Sequence, residues 1–200
     1  GETEARLAFL SVREHFAVRR GRAVVMDIGG GSVELVLAAA GLVDQAISLP
    51  FGAVRLTEQY LANPDRMEAG IRRIRSAVRQ RLRHAVPAKE WAGAKLFGSG
   101  GTFTNAARVL AGRERGKVPP AVHGSAITLG EMQRVLEWLG GMTVEERRKV
   151  NGLSPERADI IPAGLAVAAE VMEHFATPQL TVSAFGLREG LLLHLARPSA

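Results

Sequence analysis

Two runs of aliphatic residues, Val24 to Ile28 and Val33 to Leu37, are broken only by Asp27, Glu34 and the intervening Gly29-Gly30-Gly31-Ser32. β-Branched and aliphatic side chains predict strands over 23–28 and 32–39, joined by a turn made almost wholly of glycine. Gly41 permits a tight turn into a third strand over 42–49, which completes an antiparallel meander. Pro50-Phe51-Gly52 ends the meander, and the period then changes. A helix is expected over 53–61. After the turn Asn63-Pro64-Asp65, a second runs over 67–86 with Ile71, Ile74, Val78 and Leu82 at helical spacing. Lys95 to Phe97 reads as a short strand, Phe103 to Leu110 as a helix and 112–124 as loop. Thr128 with Glu131 and Thr143 with Glu146 match capping boxes that open short helices. Ser154-Pro155 is expected to open the longest helix, with Ile161, Leu165, Ala168, Val171, Met172 and Phe175 on one face. Leu180 to Ser183 is the last strand and Gly186 to Leu195 the last helix. Residues 1–18 are mixed in period and read as a helix end followed by a loop.

A meander that passes into alternating strand and helix predicts an α/β fold of the ribonuclease H-like, actin-like type. Its sheet would be a three-stranded antiparallel meander continuing into a mixed sheet flanked by helices. With 200 residues and 46% apolar content, a sizeable core is available. No uncharged apolar run reaches the roughly 18 residues that span a bilayer, so no membrane partner is expected. The opening Gly-Glu-Thr-Glu-Ala-Arg has neither the basic start nor the apolar centre of a signal peptide, and it lacks an initiator Met. The chain is therefore expected to be a piece of a longer one. Zero cysteines exclude disulfides and thiolate metal sites and fit the cytoplasm. The net charge of +6 suggests polyanionic partners, with arginines gathered at Arg72, Arg73, Arg75, Arg79, Arg81 and Arg83. The same cluster also reads as a solvated helix face. Nucleic acid is not expected, because no aromatic residue interleaves with the arginines as a base-stacking platform would. A phosphate chain fits better.

The chemistry is concentrated at the first turn. Consecutive glycines leave no side chains in the way of an anion, and their N–H groups can fold around it. Asp27 offers a carboxylate suited to Mg²⁺, which shares hard oxygen ligands with phosphate. Ser32 adds a hydroxyl, and Glu34 begins the return strand. No G-x-x-x-x-G-K-[ST] occurs, and no Gly-x-Gly-x-x-Gly opens a helix here. A second glycine-rich turn, Gly98-Ser99-Gly100-Gly101-Thr102, follows a strand and precedes a helix, where N–H groups point at anions. The histidines His15, His84, His123, His174 and His194 lack metal spacing and read as structural or exposed.

Six segments together resemble the second domain of the exopolyphosphatase and guanosine pentaphosphate phosphohydrolase (Ppx/GppA) family, within the actin-like superfamily. They are Gly1 to Leu7, Val25 to Leu35, Leu49 to Thr57, Gly98 to Thr102, Glu156 to Ile161 and Gly186 to Leu191. The resemblance implies Mg²⁺- or Mn²⁺-dependent hydrolysis of a terminal phosphoanhydride, in inorganic polyphosphate or guanosine pentaphosphate. It implies Glu4 as the general base for water and Asp27 as the metal ligand. Gly29, Gly30, Gly31 and Ser32 would form the second phosphate loop, and Glu34 would help position metal or water. Gly98 to Thr102 would match the superfamily's nucleotide motif. Arg55 is a candidate phosphate contact or salt-bridge partner, and Arg157 and Asp159 are expected to pair structurally.

The family pattern also includes a first domain with its own phosphate loop, and no such segment occurs in this sequence. Residues 1–18 are accordingly expected to be a hinge and the end of that domain, with 19–200 as the second domain. The chain alone is expected to show little or no hydrolysis, and a homodimer is left open. Two other readings stand beside the hydrolase. One is half of an actin-like sugar-kinase-type ATPase. The other is a non-catalytic module that binds polyphosphate or alarmone.

Overall fold

The expected meander is present. β1 (Arg22–Ile28) pairs antiparallel with β2 (Val33–Ala39), and β2 with β3 (Leu42–Leu49). On the other side of β1 the sheet turns parallel, first with β4 (Lys95–Ser99) and then with β6 (Gln179–Ser183). β5 (Ala126–Thr128) closes that edge antiparallel to β6, so the order is β3-β2-β1-β4-β6-β5. The molecule is seen as a computed structural model that describes residues 2–16, 18 and 20–196.

Alternation along the strands separates two cores. Val24, Met26 and Ile28 of β1 join Val33, Leu35, Leu37, Leu96, Leu180 and Val182 on one face. Helices α2 (Ala53–Tyr60), α3 (Met67–Ala85), α5 (Gly101–Arg115), α6 (Leu129–Gly140) and α8 (Ile161–His174) supply the rest of that core. The short helices α4 (Ala88–Trp91) and α7 (Val144–Arg147) cover its rim. On the opposite face, Ala23, Val25, Val36, Ala38 and Phe97 lie under Ala5, Phe9 and Val12 of α1 (Glu2–His15). The last helix, α9 (Leu187–Leu195), runs against α1, and a Cβ on Gly190 would strike the carbonyl of Leu7.

Several expectations are corrected. The segment read as a helix end and loop is a full 14-residue helix, because Ala5, Ala8, Phe9 and Val12 make one stripe at i, i+3, i+4 and i+7. Of its loop, Ala17 and Arg19 lie outside the described residues. α5 continues through Arg115 into the expected loop and ends at Gly116, whose φ of +66 is left-handed. Ser154-Pro155 opens only a 3₁₀ turn over Pro155–Arg157. The helix itself starts at Ile161, with Pro162 in its first turn. At 19 residues α3, and not α8, is the longest helix among the described residues. Strand β5 was not anticipated. Both capping boxes form, with Thr128 Oγ1 accepting from Glu131 N–H and Thr143 Oγ1 from Glu146 N–H, each at 3.2 Å.

Part of the arginine cluster is spent inside the chain. Glu170 on α8 is only 1% exposed, and it receives Arg75 Nε at 2.6 Å and Arg79 Nε at 2.9 Å. Glu173 takes Arg75 Nη2 at 2.6 Å and Gln133 Nε2 at 2.9 Å, and Arg72 pairs with Glu68. Arg75 and Arg79 fasten α3 to α8, and Gln133 joins α6 to Glu173, which leaves less of the helix for an external polyanion.

Candidate active site

The carboxyl ends of β1, β4 and β6 meet at one edge of the sheet, where ligands bind in open α/β folds. The strand register lines up Ser48, Glu34, Asp27, Ser99 and Ser183 as one transverse row on the face covered by α1. Neighbours in a row point the same way, so these polar groups gather above the apolar row Val36, Val25 and Phe97. Ser48 Oγ donates to Glu34 Oε1 at 2.9 Å, and Ser99 Oγ reaches Asp27 Oδ2 at 3.4 Å. A cleft of about 580 Å³ opens over the row. Glu4, Asp27, Glu34, Gly29, Gly100, Gly101 and Arg157 line it, and α9 closes one side with Leu187, Arg188 and Glu189. The first turn of α1 thus carries Glu4 to the same cleft as the first β-turn's carboxylates.

The glycine loop is oriented by its carbonyls. Gly29 O accepts from Ala53 N–H at 2.9 Å, Gly30 O from Arg55 N–H at 3.0 Å, and Gly31 O from Arg55 Nε at 3.1 Å. In a trans peptide the C=O and the next N–H point in opposite directions. The N–H groups of Gly30, Gly31 and Ser32 therefore all point away from α2. Three successive N–H groups on one side make an anion-binding concavity. Gly52 is what lets α2 come so near, since a Cβ there would overlap the backbone of Gly30 and Gly31. Among the described residues Arg55 makes no ion pair; its Nε braces the loop from behind.

Asp27 is electrostatically the odd member. Burial, and then the neighbouring Glu34, push its carboxyl up from 3.8 to about 6, against the lowering effects of Ser99 and Arg157. Among the described residues, no group of three or more His, Asp or Glu could by itself hold a metal ion. The donor set instead fits a cation such as Mg²⁺, which takes one or two protein carboxylates and fills its shell with phosphate and water. Asp27, held by one long hydrogen bond beside a second carboxylate, is suited to it.

The second glycine turn divides its labour. Gly98 lies under the Phe103 ring, Thr102 is buried against Gly164, and Ser99 touches Asp27. Only Gly100 and Gly101 reach the cleft, at the start of α5. Gly100 has φ +94, and a Cβ on it would lie 2.8 Å from Asp27 Oδ1. A Cβ on Gly101 would run into the guanidinium of Arg157. The expected Arg157–Asp159 pair is therefore not what forms. Asp159 Oδ1 accepts its neighbour's Ile160 N–H at 3.0 Å, while Arg157 lies over Gly101 and lines the cleft. Arg157 is a site residue that the sequence reading missed. The turn-forming Ser-Pro before it and its distance of 130 positions from Asp27 gave no sign of it.

Comparison with known proteins places the fold in a family. The family model for the Ppx/GppA phosphatase family matches residues 1–198. The exopolyphosphatase 1 of Mycobacterium leprae is 32% identical over 195 residues, covering 96% of this chain and 57% of that protein. The exopolyphosphatase 2 of Mycobacterium tuberculosis is 32% identical over 206 residues, covering 98% and 62%. The crystal structure of the Aquifex aeolicus member of the Ppx/GppA family superposes with a TM-score of 0.84 at 31% identity, covering 98% of this chain and 64% of that one. An exopolyphosphatase from Cytophaga hutchinsonii gives a TM-score of 0.82 at 26% identity, covering 98% and 63%. The chain thus spans 57–64% of the length of these relatives. Its mixed sheet and flanking helices are the actin-like fold of those structures, and the chain belongs to the Ppx/GppA phosphatase family.

Proposed function

We propose that this chain supplies the second phosphate loop and the water-activating carboxylate of a hydrolase that removes terminal phosphate from inorganic polyphosphate or guanosine pentaphosphate. The observation that carries the reading is the convergence of Glu4, Asp27 and Glu34 on one cleft that Gly29, the first residue of the glycine loop, also lines. Phosphoryl transfer asks a protein for positioning and charge neutralisation, with one carboxylate to orient the nucleophile.

The roles follow from position. The amides of Gly30, Gly31 and Ser32 hold phosphate oxygens, as backbone donors do where charge builds up. Glu4, exposed on the first turn of α1, accepts a proton from water at the cleft mouth. Asp27 and Glu34 would hold Mg²⁺ or Mn²⁺, which supplies neutralising charge to the phosphate oxygens. Arg157 adds a fixed positive charge over the start of α5. Exopolyphosphatase names among the relatives support polyphosphate as the substrate class. The carboxylates stand at an open cleft, and the other wall belongs to a first domain of the full-length protein. Among the described residues no helix is long and apolar enough to cross a membrane, and a cytoplasmic protein is the reading we adopt.

The test is metal-dependent phosphate release from long-chain polyphosphate and from guanosine pentaphosphate. It compares this chain, the full-length protein and the full-length Glu4→Gln variant. Release by the full-length protein only, lost in the variant, is the expected result. Tight polyphosphate binding with no release by any of them would overturn the hydrolase in favour of a binding module.

A further inference from the structure

Arg157 sits on a three-residue 3₁₀ turn, held locally by Arg157 N–H to Ser154 O at 2.9 Å and Ala158 N–H to Pro155 O at 3.3 Å. Such a turn is a weak platform for a long side chain that must stay over one spot. Two buried side chains reinforce it from outside. Asn105 of α5, 7% exposed, accepts Ser154 N–H on Oδ1 at 2.7 Å and donates from Nδ2 to Gly101 O at 2.8 Å. It therefore ties the start of the turn to the very residue on which the Arg157 guanidinium lies. Arg147 of α7, 1% exposed, donates from Nη1 to Ala158 O at 2.8 Å and fixes the other end.

Arg147 is an unusual way to make that bond. Its hydrogen-bond partners are the carbonyls of Thr143 and Ala158, and the acids nearest in charge, Asp159 and Glu145, make no ion pair with it. A buried guanidinium without a carboxylate is costly, whereas a turn with no task could end on water. The long, rigid fork spans from α7 to the turn and fixes its height over α5.

We propose that Asn105 and Arg147 are positioning residues that clamp the 154–158 turn and so present Arg157 to the phosphate in the cleft. The proposal rests on the phosphate-binding reading of that cleft. Neither residue touches the cleft itself. Both act through Arg157.

The test is a double-mutant cycle read by tripolyphosphate binding to this chain in Mg²⁺, alongside the side-chain Nε–H resonance of Arg157. Arg157→Ala is expected to weaken binding about tenfold, the scale of one charge-assisted contact. Asn105→Ala and Arg147→Met are each expected to weaken it by a similar factor and to move the Arg157 resonance towards that of free arginine. In the Arg157→Ala background they are expected to add nothing. Losses that add fully to that of Arg157→Ala, or variants that bind as the parent does, would overturn the clamp. Should either variant unfold, Asn105→Asp and Arg147→Lys keep one bond each and give the same comparison. If tripolyphosphate ignores Arg157, or does not bind at all, it is the phosphate reading that falls. The resonance then decides alone: its movement in Asn105→Ala supports the clamp, and an unmoved resonance overturns it.

Discussion

Asp27 and Glu34 face each other across the β1–β2 pair, one rung before the turn that carries the glycine loop. Glu34 is 5% exposed and held by Ser48, so it cannot swing away, and Asp27 bears the cost of the shared site. A divalent cation relieves that cost. On the function proposed above, the two close carboxylates would hold the metal and the glycine loop that follows Asp27 the phosphate.

The first prediction concerns Asp27 and pH. The folded chain holds its proton up to about pH 6, while the unfolded chain releases it near 3.8. Metal-free stability therefore falls as pH rises through that window and stays low above it. Asp27→Asn should stabilise the metal-free chain at pH 7.5 by on the order of 1–3 kcal/mol. Mg²⁺ with tripolyphosphate should raise the melting temperature of the parent and not of the variant. Calorimetry with and without the two ligands checks both statements, and an Asn variant that melts lower would contradict them.

His123 and His174 carry the opposite sign. Burial, and then the nearby charge of His15, hold His123 below 6.5, and its Nδ1 accepts the Ala184 N–H at 3.3 Å. Burial likewise dominates the lowering at His174, whose Nε2 lies 3.1 Å from Val86 O. Both bind a proton less readily in the folded chain than in the unfolded one, so stability should be fully present above 6.5 and drop as pH falls below it. Urea midpoints between pH 5 and 7.5 measure this slope. His174→Gln should flatten it.

Gly100→Ala should damage fold and site together. A backbone at φ +94 and ψ −175 is closed to alanine, and strain of this kind costs about 1–3 kcal/mol. The new methyl group would also press on Asp27 Oδ1. The expected result is a lower melting temperature and lost Mg²⁺ response. Gly116→Ala serves as the control, since nothing lies near it and its own left-handed φ isolates the backbone cost.

The buried acid on α8 offers a stability test remote from the cleft. Replacing Arg75 and Arg79 together with Met leaves Glu170 buried and uncompensated, and should destabilise the chain by about 3–5 kcal/mol. Tripolyphosphate affinity, measured below the new melting point, should stay within about twofold because neither arginine lines the cleft. A tenfold loss would return the basic helix to the substrate path.

Much of this molecule is legible in its sequence because the informative signals are local. The aliphatic runs between Val24 and Leu37 give the first two strands of the meander, Thr-x-x-Glu gives two caps, and an aspartate ahead of three glycines marks the loop. What was hidden depends on distance. Three-residue β5 has no period of its own and exists because β6 offers an edge. Arg157 has ordinary neighbours and becomes a cleft residue only because Gly101 leaves room for it. The stripe on α1 was legible at Ala5, Phe9 and Val12, yet small alanines dilute the apolar signal. Arg55 shows a further limit: its type left phosphate contact and salt bridge equally open, and neither suggested that its Nε would hold the Gly31 carbonyl.

The transverse row across the strand ends makes spacing, rather than composition, the property that β2 cannot change. Shortening β2 by one residue between Glu34 and Leu37 would bring an aliphatic side chain opposite Asp27 and turn Glu34 into the opposite core. The chain could still fold, with its acid partner gone. Variation at the Ala40-Gly41 tip falls beyond the irregularity between Leu37 and Ala38, which takes up a change in length before it reaches Glu34. Evolution and engineering alike are free to lengthen that hairpin, whereas the segment from Glu34 to Leu37 works as a fixed ruler.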